Sequence, residues 1–472
     1  MTDVNLCYAS VRALSELVSK KQVSPVEIIE AHLQRISETE PVLNSFITLL
    51  ADEAQEAARR AEAMINRGNH LGPLHGIPVG LKDLFNTGGV KTTSGSRIFD
   101  NYVPIEDCTV ASKFRAAGAI LIGKLNMHQF AYGPTGENPD YGHMHNPWDP
   151  EKIAGGSSGG SGSAAASGQC TITMGSDTGG SVRIPSSFCG IVGLKPTYGL
   201  VSRNGLTPLS WCLDHPGPMV RTVEDAALTM NVISGFDPKD VASARVNIPD
   251  YTENLNKSIQ GLRVGIVKEF FDAPLDAEVE SIVRKAISHI ESMGAEIHEV
   301  SMSMFEQSQA ISGTILMCEA AAYHRELLKD HAEELYAPVR LRLESGLLIT
   351  AADYLKAQQA RALFNTSVNA LYQTVDVLVG PSQPITAPTL LAQSVEINGT
   401  RVGTTAAVTQ YSRPYNITGT PAITVPCGFS ASGMPVGLQI AGKAFDESTV
   451  LQVAHAYEST TDWHLKHPDT AS

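Results

Sequence analysis

The chain has 472 residues, of which 43% are hydrophobic and 18% are charged. This composition is that of a globular protein with a sizeable core. Its 35 lysines and arginines are outnumbered by 49 aspartates and glutamates, for a formal net charge of -14 at pH 7, which disfavours binding to nucleic acid or to an anionic membrane surface.

The first part of the chain is predicted to be helical. Ser24-Pro25-Val26-Glu27 is a capping box with proline at the first helical position, and it opens the amphipathic run VEIIEAHLQRI. A second helical run, ADEAQEAARRAEAMINRG, closes at Gly68. We expect residues 1–70 to form a helical region that packs on a catalytic domain spanning residues 71–472.

Beyond residue 70, short apolar runs alternate with helical runs. The strand candidates are residues 77–81, 119–123, 171–174, 263–267, 376–380, 422–426 and 436–440. Helical runs cover residues 279–294 and 350–372. Alternating strands and helices predict an α/β protein. The segment from about 270 to 350 has fewer strand signals, and we expect it to form a helical insertion or lid.

The spacing of the cysteines and the sequence at the N-terminus predict the cellular compartment of the protein. The seven cysteines form no C-x-x-C pair, which argues against a disulfide framework and against a zinc site. The N-terminus lacks a basic start followed by an apolar run, so no signal peptide is predicted. No apolar stretch approaches the roughly 18 residues of a membrane span. We therefore expect a reduced, cytoplasmic protein.

Several matches to known motifs are weak. Gly155-Gly-Ser157-Ser-Gly159 fits the G-x-S-x-G nucleophile elbow, but turn-forming residues, NPWDP, precede it where that elbow needs a strand. His143-Met-His145 has no third ligand at an obvious spacing, so we expect no bound metal. His215 lies in a turn-rich run. The motifs name no Ser-His-Asp triad, although such a triad can join residues that are distant in sequence.

Two glycine-serine units remain, residues 155–161 (GGSSGGS) and 175–181 (GSDTGGS). The second follows a predicted strand, and its glycines tolerate the turns that bring several backbone N–H groups together. Those donors suit a developing oxyanion beside the hydroxyl of Ser181. A serine nucleophile needs a base. Lys82, which directly follows an apolar strand, can lose its proton through desolvation.

These segments together resemble the amidase signature family. The resemblance is carried by HGIPVGLKD, AGAILIGKLNM, NPWDP, GGSSGGS and GSDTGGSVRIPSSFCGIVGLKPTYG, and near the end by PAITVPCGF and MPVGLQIAG. It covers residues 70–235 most specifically, and again the C-terminal part. It implies an α/β/α sandwich with a large central mixed β-sheet. It also implies a small-molecule amide substrate, no cofactor, and a chain that can form a homodimer.

The resemblance implies a Ser–cis-Ser–Lys triad in which Ser181 is the nucleophile, Ser157 the bridging serine and Lys82 the base. The implied oxyanion loop consists of Thr178, Gly179 and Gly180, with the amide of Ser181. A supporting shell is expected from Ser158, Asp177 and Arg183. The position after the KLNM turn suggests a substrate pocket lined by Phe130, Ala131 and Tyr132.

Three kinds of family member remain open. A stand-alone amidase would cleave a small or aryl amide, or a related carbamate, whereas a glutaminase subunit would serve a tRNA-dependent amidotransferase. An inactive binding module is disfavoured because all three triad residues are present. KPTYG and the helix around Arg361 resemble the amidotransferase subunit, in which this arginine would hold the glutamine carboxylate. Ile184 stands where those subunits usually carry glutamine, and the run 214–218 (DHPGP) resembles free-standing amidases, so we favour the stand-alone enzyme.

The charge around residue 413 also argues against glutamine. The resemblance places an acid for the α-ammonium of glutamine just upstream of the run 416–421 (NITGTP). Between Glu396 and Asp446 the chain has no acidic residue, and Arg413 stands just before that run instead. Because a cation repels an ammonium group, we expect glutamine to be a poor substrate.

Overall fold

The computed structural model describes residues 5–469. Its strands are β1 (Phe46–Leu49), β2 (Pro78–Lys82), β3 (Ile120–Leu125), β4 (His145–Asn146), β5 (Asp149–Ile153), β6 (Ile172–Asp177), β7 (Val192–Lys195), β8 (His215–Val220), β9 (Arg263–Val267), β10 (Glu296–Val300), β11 (Val377–Pro381), β12 (Ser394–Ile397), β13 (Thr400–Gly403), β14 (Ala422–Phe429) and β15 (Pro435–Gly442). Its α-helices are α1 (Val11–Ser19), α2 (Pro25–Leu43), α3 (Ala51–Asn66), α4 (Thr109–Ala116), α5 (Gly159–Ala166), α6 (Arg183–Cys189), α7 (Val223–Ile233), α8 (Lys268–Asp272), α9 (Ala277–Ser292), α10 (Phe305–Tyr323), α11 (Arg325–His331), α12 (Ala337–Leu347), α13 (Ala351–Leu371), α14 (Thr404–Thr409), α15 (Arg413–Thr418) and α16 (Glu447–Glu458).

One large mixed sheet organises the molecule. Eleven strands pair in the order β1-β3-β2-β6-β8-β7-β14-β15-β11-β9-β10. Strand β2 runs parallel to both β3 and β6, and β9 runs parallel to β10 and β11, while the strands from β6 to β11 pair antiparallel. Helices such as α3, α7, α9 and α16 pack against it. The expected α/β/α sandwich is confirmed, and every strand expected from the sequence lies in this sheet.

The N-terminal elements follow the predicted start signal. The amide of Glu27 donates to the Ser24 hydroxyl, and the amide of Ser24 donates to the Glu27 carboxylate at 2.8 Å, which completes the capping box of α2. The sequence reading missed β1 between α2 and α3. With only four residues, FITL is too short for its period to be recognised, yet it pairs antiparallel with β3 at the edge of the sheet.

Strand β8 was also missed, because HPGP resembles a turn. It lies in the interior of the sheet, between β6 and β7. Gly217 explains part of its composition, since a Cβ there would lie 2.1 Å from the carbonyl oxygen of Leu194. Only glycine permits this approach of two backbones.

Between residues 268 and 371 the chain is mostly helical. Helix α10 packs against α12, α13 and α15, and the short strand β10 pairs with β9 at the opposite edge of the sheet from β1. Among the helices of residues 5–469, none is long and apolar enough to cross a bilayer.

Candidate active site

Lys82 is the last residue of β2, and its ammonium group is fully buried among serines. Its Nζ lies 2.6 Å from Oγ of Ser157, 2.9 Å from Oγ of Ser158 and 2.9 Å from Oγ of Ser176. Burial lowers the pKa of Lys82 from 10.5 to about 7, although the carboxylates of Asp214 and Asp177 oppose this shift. In a large share of the protein molecules, the amine of Lys82 is therefore uncharged near neutral pH.

The sheet and a tight turn bring these groups together. Leu81 pairs with Met174 in the neighbouring parallel strand β6. This register places Lys82 beside Ser176 at the carboxyl ends of the two strands. Ser157 and Ser158 directly precede α5, which packs on both strands. The Gly156–Ser157 peptide bond is cis. Gly156 leaves no room for a side chain, because a Cβ there would lie 2.6 Å from the amide nitrogen of Gly136.

The loop that carries Ser181 joins β6 to α6, and Asp177 anchors it. The carboxylate of Asp177 accepts hydrogen bonds from the amides of Gly180 at 2.8 Å and Val182 at 3.2 Å. It also forms an ion pair with Arg183 in which both side chains are fully buried. Burial alone would raise the pKa of Asp177, but the charge and hydrogen bonds of Arg183 hold it well below its usual range.

The amides of the expected oxyanion loop are not equivalent. The amide of Gly180 is committed to Asp177. No hydrogen bond within residues 5–469 occupies the amides of Gly179 and Ser181. Gly180 itself adopts a φ of +122°, and a Cβ there would lie 2.3 Å from Oγ of Ser412. Glycine is therefore required at this position, and the free amides are those on either side of it.

Ser181 opens onto a cavity of about 350 Å³. The same cavity is lined by Thr178 and Gly179 of the loop, by Gly133 and Pro134, and by residues of α10 and α12. Ser157 is fully buried and does not line this cavity. Within the described residues, no hydrogen bond joins its hydroxyl to that of Ser181. Such contacts are often long without substrate and tighten only when it binds.

The expected substrate-pocket residues divide into two groups. Ala131 and Tyr132 line the cavity. Phe130 does not, because its ring is buried against Phe99 and His324 at centroid distances of 5.8 Å and 4.9 Å.

A second cavity of about 230 Å³ adjoins the first. Both cavities are lined by Ala131, Thr178 and Leu209, and the second is also lined by Ser176 and Asp214. Asp214 already accepts hydrogen bonds from the Thr178 hydroxyl at 2.6 Å and from the amides of Leu209 and Ser210. The two cavities thus meet at the start of the loop that carries Ser181.

The weak motif matches have other partners. Nδ1 of His143 accepts a hydrogen bond from the amide of Asn138, and Nδ1 of His145 lies 2.6 Å from the carbonyl oxygen of Pro150. Nδ1 of the buried His215 lies 2.6 Å from the carbonyl oxygen of Leu213. Across residues 5–469, no group of three or more His, Cys, Asp or Glu side chains is arranged to hold a metal ion.

Sequence reasoning missed two side chains at the site, Ser176 and Arg342. Ser176 lies inside the quoted unit GSDTGGS, and its position two residues after Met174 in β6 is the signal that could have placed it beside Lys82. Arg342 lines the cavity from α12, and its sequence neighbourhood contains nothing that marks it.

Comparison with known proteins identifies the family to which the chain belongs. A family model described as Amidase matches residues 27–451. A glutamyl-tRNA(Gln) amidotransferase subunit from Acaryochloris marina is 40% identical, over 98% of this chain and 99% of its own length.

Solved structures agree in fold. A chain of a vestigial protein complex that bears on the evolutionary origins of an s-triazine catabolic enzyme is 34% identical, with a TM-score of 0.92 over 96% of this chain and 98% of its own. A bacterial aryl acylamidase of the amidase signature enzymes is 27% identical, with a TM-score of 0.91 over 98% and 99% of the two chains. The chain therefore belongs to the amidase signature family and is a hydrolase of carbon–nitrogen bonds in amides.

Proposed function

We propose that this enzyme hydrolyses a small-molecule amide, an aryl amide or carbamate included, through an acyl-enzyme on Ser181. Ser157 relays the proton and Lys82 is the base. The observation that carries the proposal is the buried Lys82 amine, which lies 2.6 Å from the Ser157 hydroxyl beside a loop with two unoccupied amides. These are the parts that serine-based acyl transfer needs: a base, a nucleophile and an oxyanion site.

The hydrogen bonds around Lys82 support a neutral amine that accepts from Ser157. The Ser158 hydroxyl donates to the carbonyl oxygen of Ser176, so it acts as an acceptor toward Lys82. A neutral amine has two N–H donors and one lone pair. If the donors serve Ser158 and Ser176, the lone pair is left for the hydroxyl proton of Ser157. Ser157 can then take the proton of Ser181 as that oxygen attacks the carbonyl carbon.

The steps that follow conserve protons and atoms. The tetrahedral oxyanion accepts hydrogen bonds from the amides of Gly179 and Ser181. The proton held by Lys82 returns through Ser157 to the leaving nitrogen, so that ammonia or an amine departs and an ester on Ser181 remains. Water then attacks this ester with the same base, and the acid is released.

A second candidate is the glutaminase subunit of a tRNA-dependent amidotransferase, acting with partner subunits. Relatives that carry the amidotransferase name, at about 40% identity over nearly the whole chain, favour it. The charges at the site favour the first candidate. Among residues 5–469, no Asp or Glu lines the cavity of Ser181 to pair with the α-ammonium of glutamine. Arg361 donates to the carbonyl oxygens of Ile417 and Cys212 and lines neither cavity.

Two measurements on the purified chain test the proposal. Ser181→Ala should abolish hydrolysis across a panel of amides and carbamates, and a sulfonyl fluoride should label Ser181 in the intact enzyme. Ser161→Ala is the matched control, because Ser161 is a buried serine that donates to the carbonyl oxygen of Met174 away from Lys82. Label on Ser157 or on a cysteine, or full activity in Ser181→Ala, would refute the assignment.

One substrate pair separates the two candidates. Glutaramate is glutamine without its ammonium group, so ammonia release from the two compounds isolates the contribution of that charge. The first candidate predicts a higher kcat/KM for glutaramate. Efficient glutamine hydrolysis, or strong stimulation by amidotransferase partner subunits with tRNA, would establish the second.

A further inference from the structure

The cavity beside Ser181 carries unbalanced positive charge. Two arginines, Arg342 of α12 and Arg413 at the start of α15, line it, and no acidic residue of the described part of the chain does. Neither guanidinium forms an ion pair with any carboxylate in residues 5–469. Two other interior arginines do have carboxylate partners, Arg183 with Asp177 and Arg203 with Asp240, whereas the buried Arg221 donates to three backbone carbonyl oxygens.

Arg413 lies against the loop that carries Ser181. A Cβ on Gly179 would lie 3.7 Å from both Cγ and Nε of Arg413, so the side chain passes over that glycine. Its Nη1 donates to the carbonyl oxygen of Gln309 at 3.1 Å, whereas its Nε is buried and has no acceptor. Burial lowers the pKa of Arg413 to about 10, with a contribution from the nearby charge of Arg342. The group is still a cation at neutral pH.

Arg342 and Tyr132 line the same cavity and contact each other. Arg342 donates to the carbonyl oxygen of Tyr132 at 2.5 Å and to the hydroxyl of Thr405 at 3.4 Å, and it lies 5.6 Å from the centre of the Tyr132 ring. The hydroxyl of Tyr132 is itself buried without a hydrogen-bond partner. Within residues 5–469 the cavity therefore combines two cations that form no ion pair with unused donors on Arg413 and Tyr132, although the charge of Glu137 acts to raise the pKa of Arg342.

These groups raise the free energy of the folded protein unless an anion binds to them. Arg342 and Arg413 are half-buried, and a cation that loses hydration without a counter-ion is compensated only in part by hydrogen bonds to neutral oxygens. A buried donor without an acceptor costs free energy as well. A carboxylate has two oxygens with about four acceptor sites, and guanidinium groups bind it with favourable geometry.

Resting on the function proposed above, we propose that the substrate is a small amide that carries a carboxylate. Arg413 and Arg342 hold this carboxylate while the amide carbonyl lies at Ser181. Hydrolysis of such a compound consumes one water and yields a dicarboxylate with ammonia or an amine. The arginines act here as binding residues, and they discriminate against neutral amides and against zwitterions whose ammonium group would lie in the same cavity.

The first experiment compares two primary amides of similar shape. Succinamate ends in a carboxylate, and isocaproamide has an isopropyl group in its place. The ratio of kcat/KM for succinamate to that for isocaproamide should be about 30 or more, because removing one member of a buried charge pair has an effect of at least this size. Arg413→Gln and Arg342→Gln should each lower the ratio at least tenfold, and Arg413→Lys should restore part of it.

Controls separate charge recognition from damage to the fold. Arg325→Gln removes an exposed arginine of α11 and should leave the ratio unchanged. The melting temperature and far-ultraviolet circular dichroism of Arg413→Gln should match those of the parent enzyme, which shows that the fold is intact in the variant. A ratio near one in the parent enzyme, or a ratio unaffected by both arginine substitutions, overturns the inference.

Binding to Ser181→Ala decides the inference independently of hydrolysis. Calorimetry should detect succinamate binding to this variant, weaker binding of isocaproamide, and loss of succinamate binding when Arg413→Gln is added. If Ser181→Ala still hydrolyses amides but binds succinamate through Arg413, the proposed nucleophile is wrong and the carboxylate site stands. If it binds neither compound, or both equally, the carboxylate site is wrong.

Discussion

Arg183 and Asp177 form an ion pair with Nη2 3.0 Å from Oδ1, and neither side chain is exposed to solvent. Arg183→Met keeps much of the volume but leaves the carboxylate of Asp177 buried without its cation. We expect a loss of about 3–5 kcal/mol in the free energy of unfolding and a corresponding loss of activity, because Asp177 holds the loop that carries Ser181. Chemical denaturation followed by tryptophan fluorescence measures the first effect.

Arg60→Met is the control for this substitution. Arg60 pairs with Glu56 at 3.3 Å on the surface of α3, where solvent screens the charges and the pair contributes little. Similar losses in the two variants would contradict the role assigned to the buried pair.

The pH profile of hydrolysis should report the titration of Lys82. Its pKa in the folded protein is lowered to about 7 by burial, and the uncharged amine is the active form. The value of kcat/KM should therefore rise with pH, level off above pH 7, and fall about tenfold for each pH unit below it. Lys82→Arg should be inactive at every pH, because guanidinium does not lose its proton. A rate that stays constant down to pH ~5 would indicate a different base.

Ser176→Ala should shift this profile. Ser176 accepts a hydrogen bond from Lys82 at 2.9 Å, and this bond stabilises the ammonium more than the amine. Its loss should lower the pKa of Lys82 further, so that activity persists to lower pH, while kcat falls about tenfold through poorer positioning of the amine. Ser161→Ala, which does not contact Lys82, should leave the profile where it is. A profile shifted to higher pH in Ser176→Ala would contradict this account.

Two adjacent glycines of the same loop should respond differently to alanine. At Gly180 a methyl group would clash with Ser412 and Ile184 and would require a φ of +122°. The backbone strain alone costs about 1–3 kcal/mol, so Gly180→Ala should lower the melting temperature and abolish activity. At Gly179 the nearest atoms are 3.7 Å away, so Gly179→Ala should melt near the parent temperature. An equal fall in melting temperature in the two variants would contradict this difference.

The sequence predicted what depends on local pattern. The strands that contain IPVGL and TITM, the capping box of α2, the position of Lys82 at the end of β2 and that of Ser181 in the loop after β6 all follow from short segments. Strand β8 did not, because its prolines indicate a turn when read alone. Its place between β6 and β7 depends on backbone packing that no single segment encodes.

The groups around the cavity of Ser181 were harder to predict than the proposed triad. Arg342 is 161 residues from Ser181 in the chain, and in sequence it looks like any arginine of an amphipathic helix. That it forms no ion pair with a carboxylate of residues 5–469 emerges only when α12 is packed against α10. Arg413 was recognised from the absence of acids around it, a pattern of charge rather than of motif.

Arg183 also ties the end of the loop that carries Ser181 to the last part of the chain. It donates to the carbonyl oxygen of Ser412 and to the side chains of Asn416 and Gln439. During synthesis these acceptors emerge more than 220 residues after Arg183. A nascent or truncated chain that ends before residue 412 thus holds every member of the proposed triad and lacks the bonds that join Arg183 to Ser412, Asn416 and Gln439. We therefore expect amide hydrolysis only from chains that have been synthesised past this region. Two separately expressed fragments, divided before residue 412, should regain hydrolysis only when they reassemble.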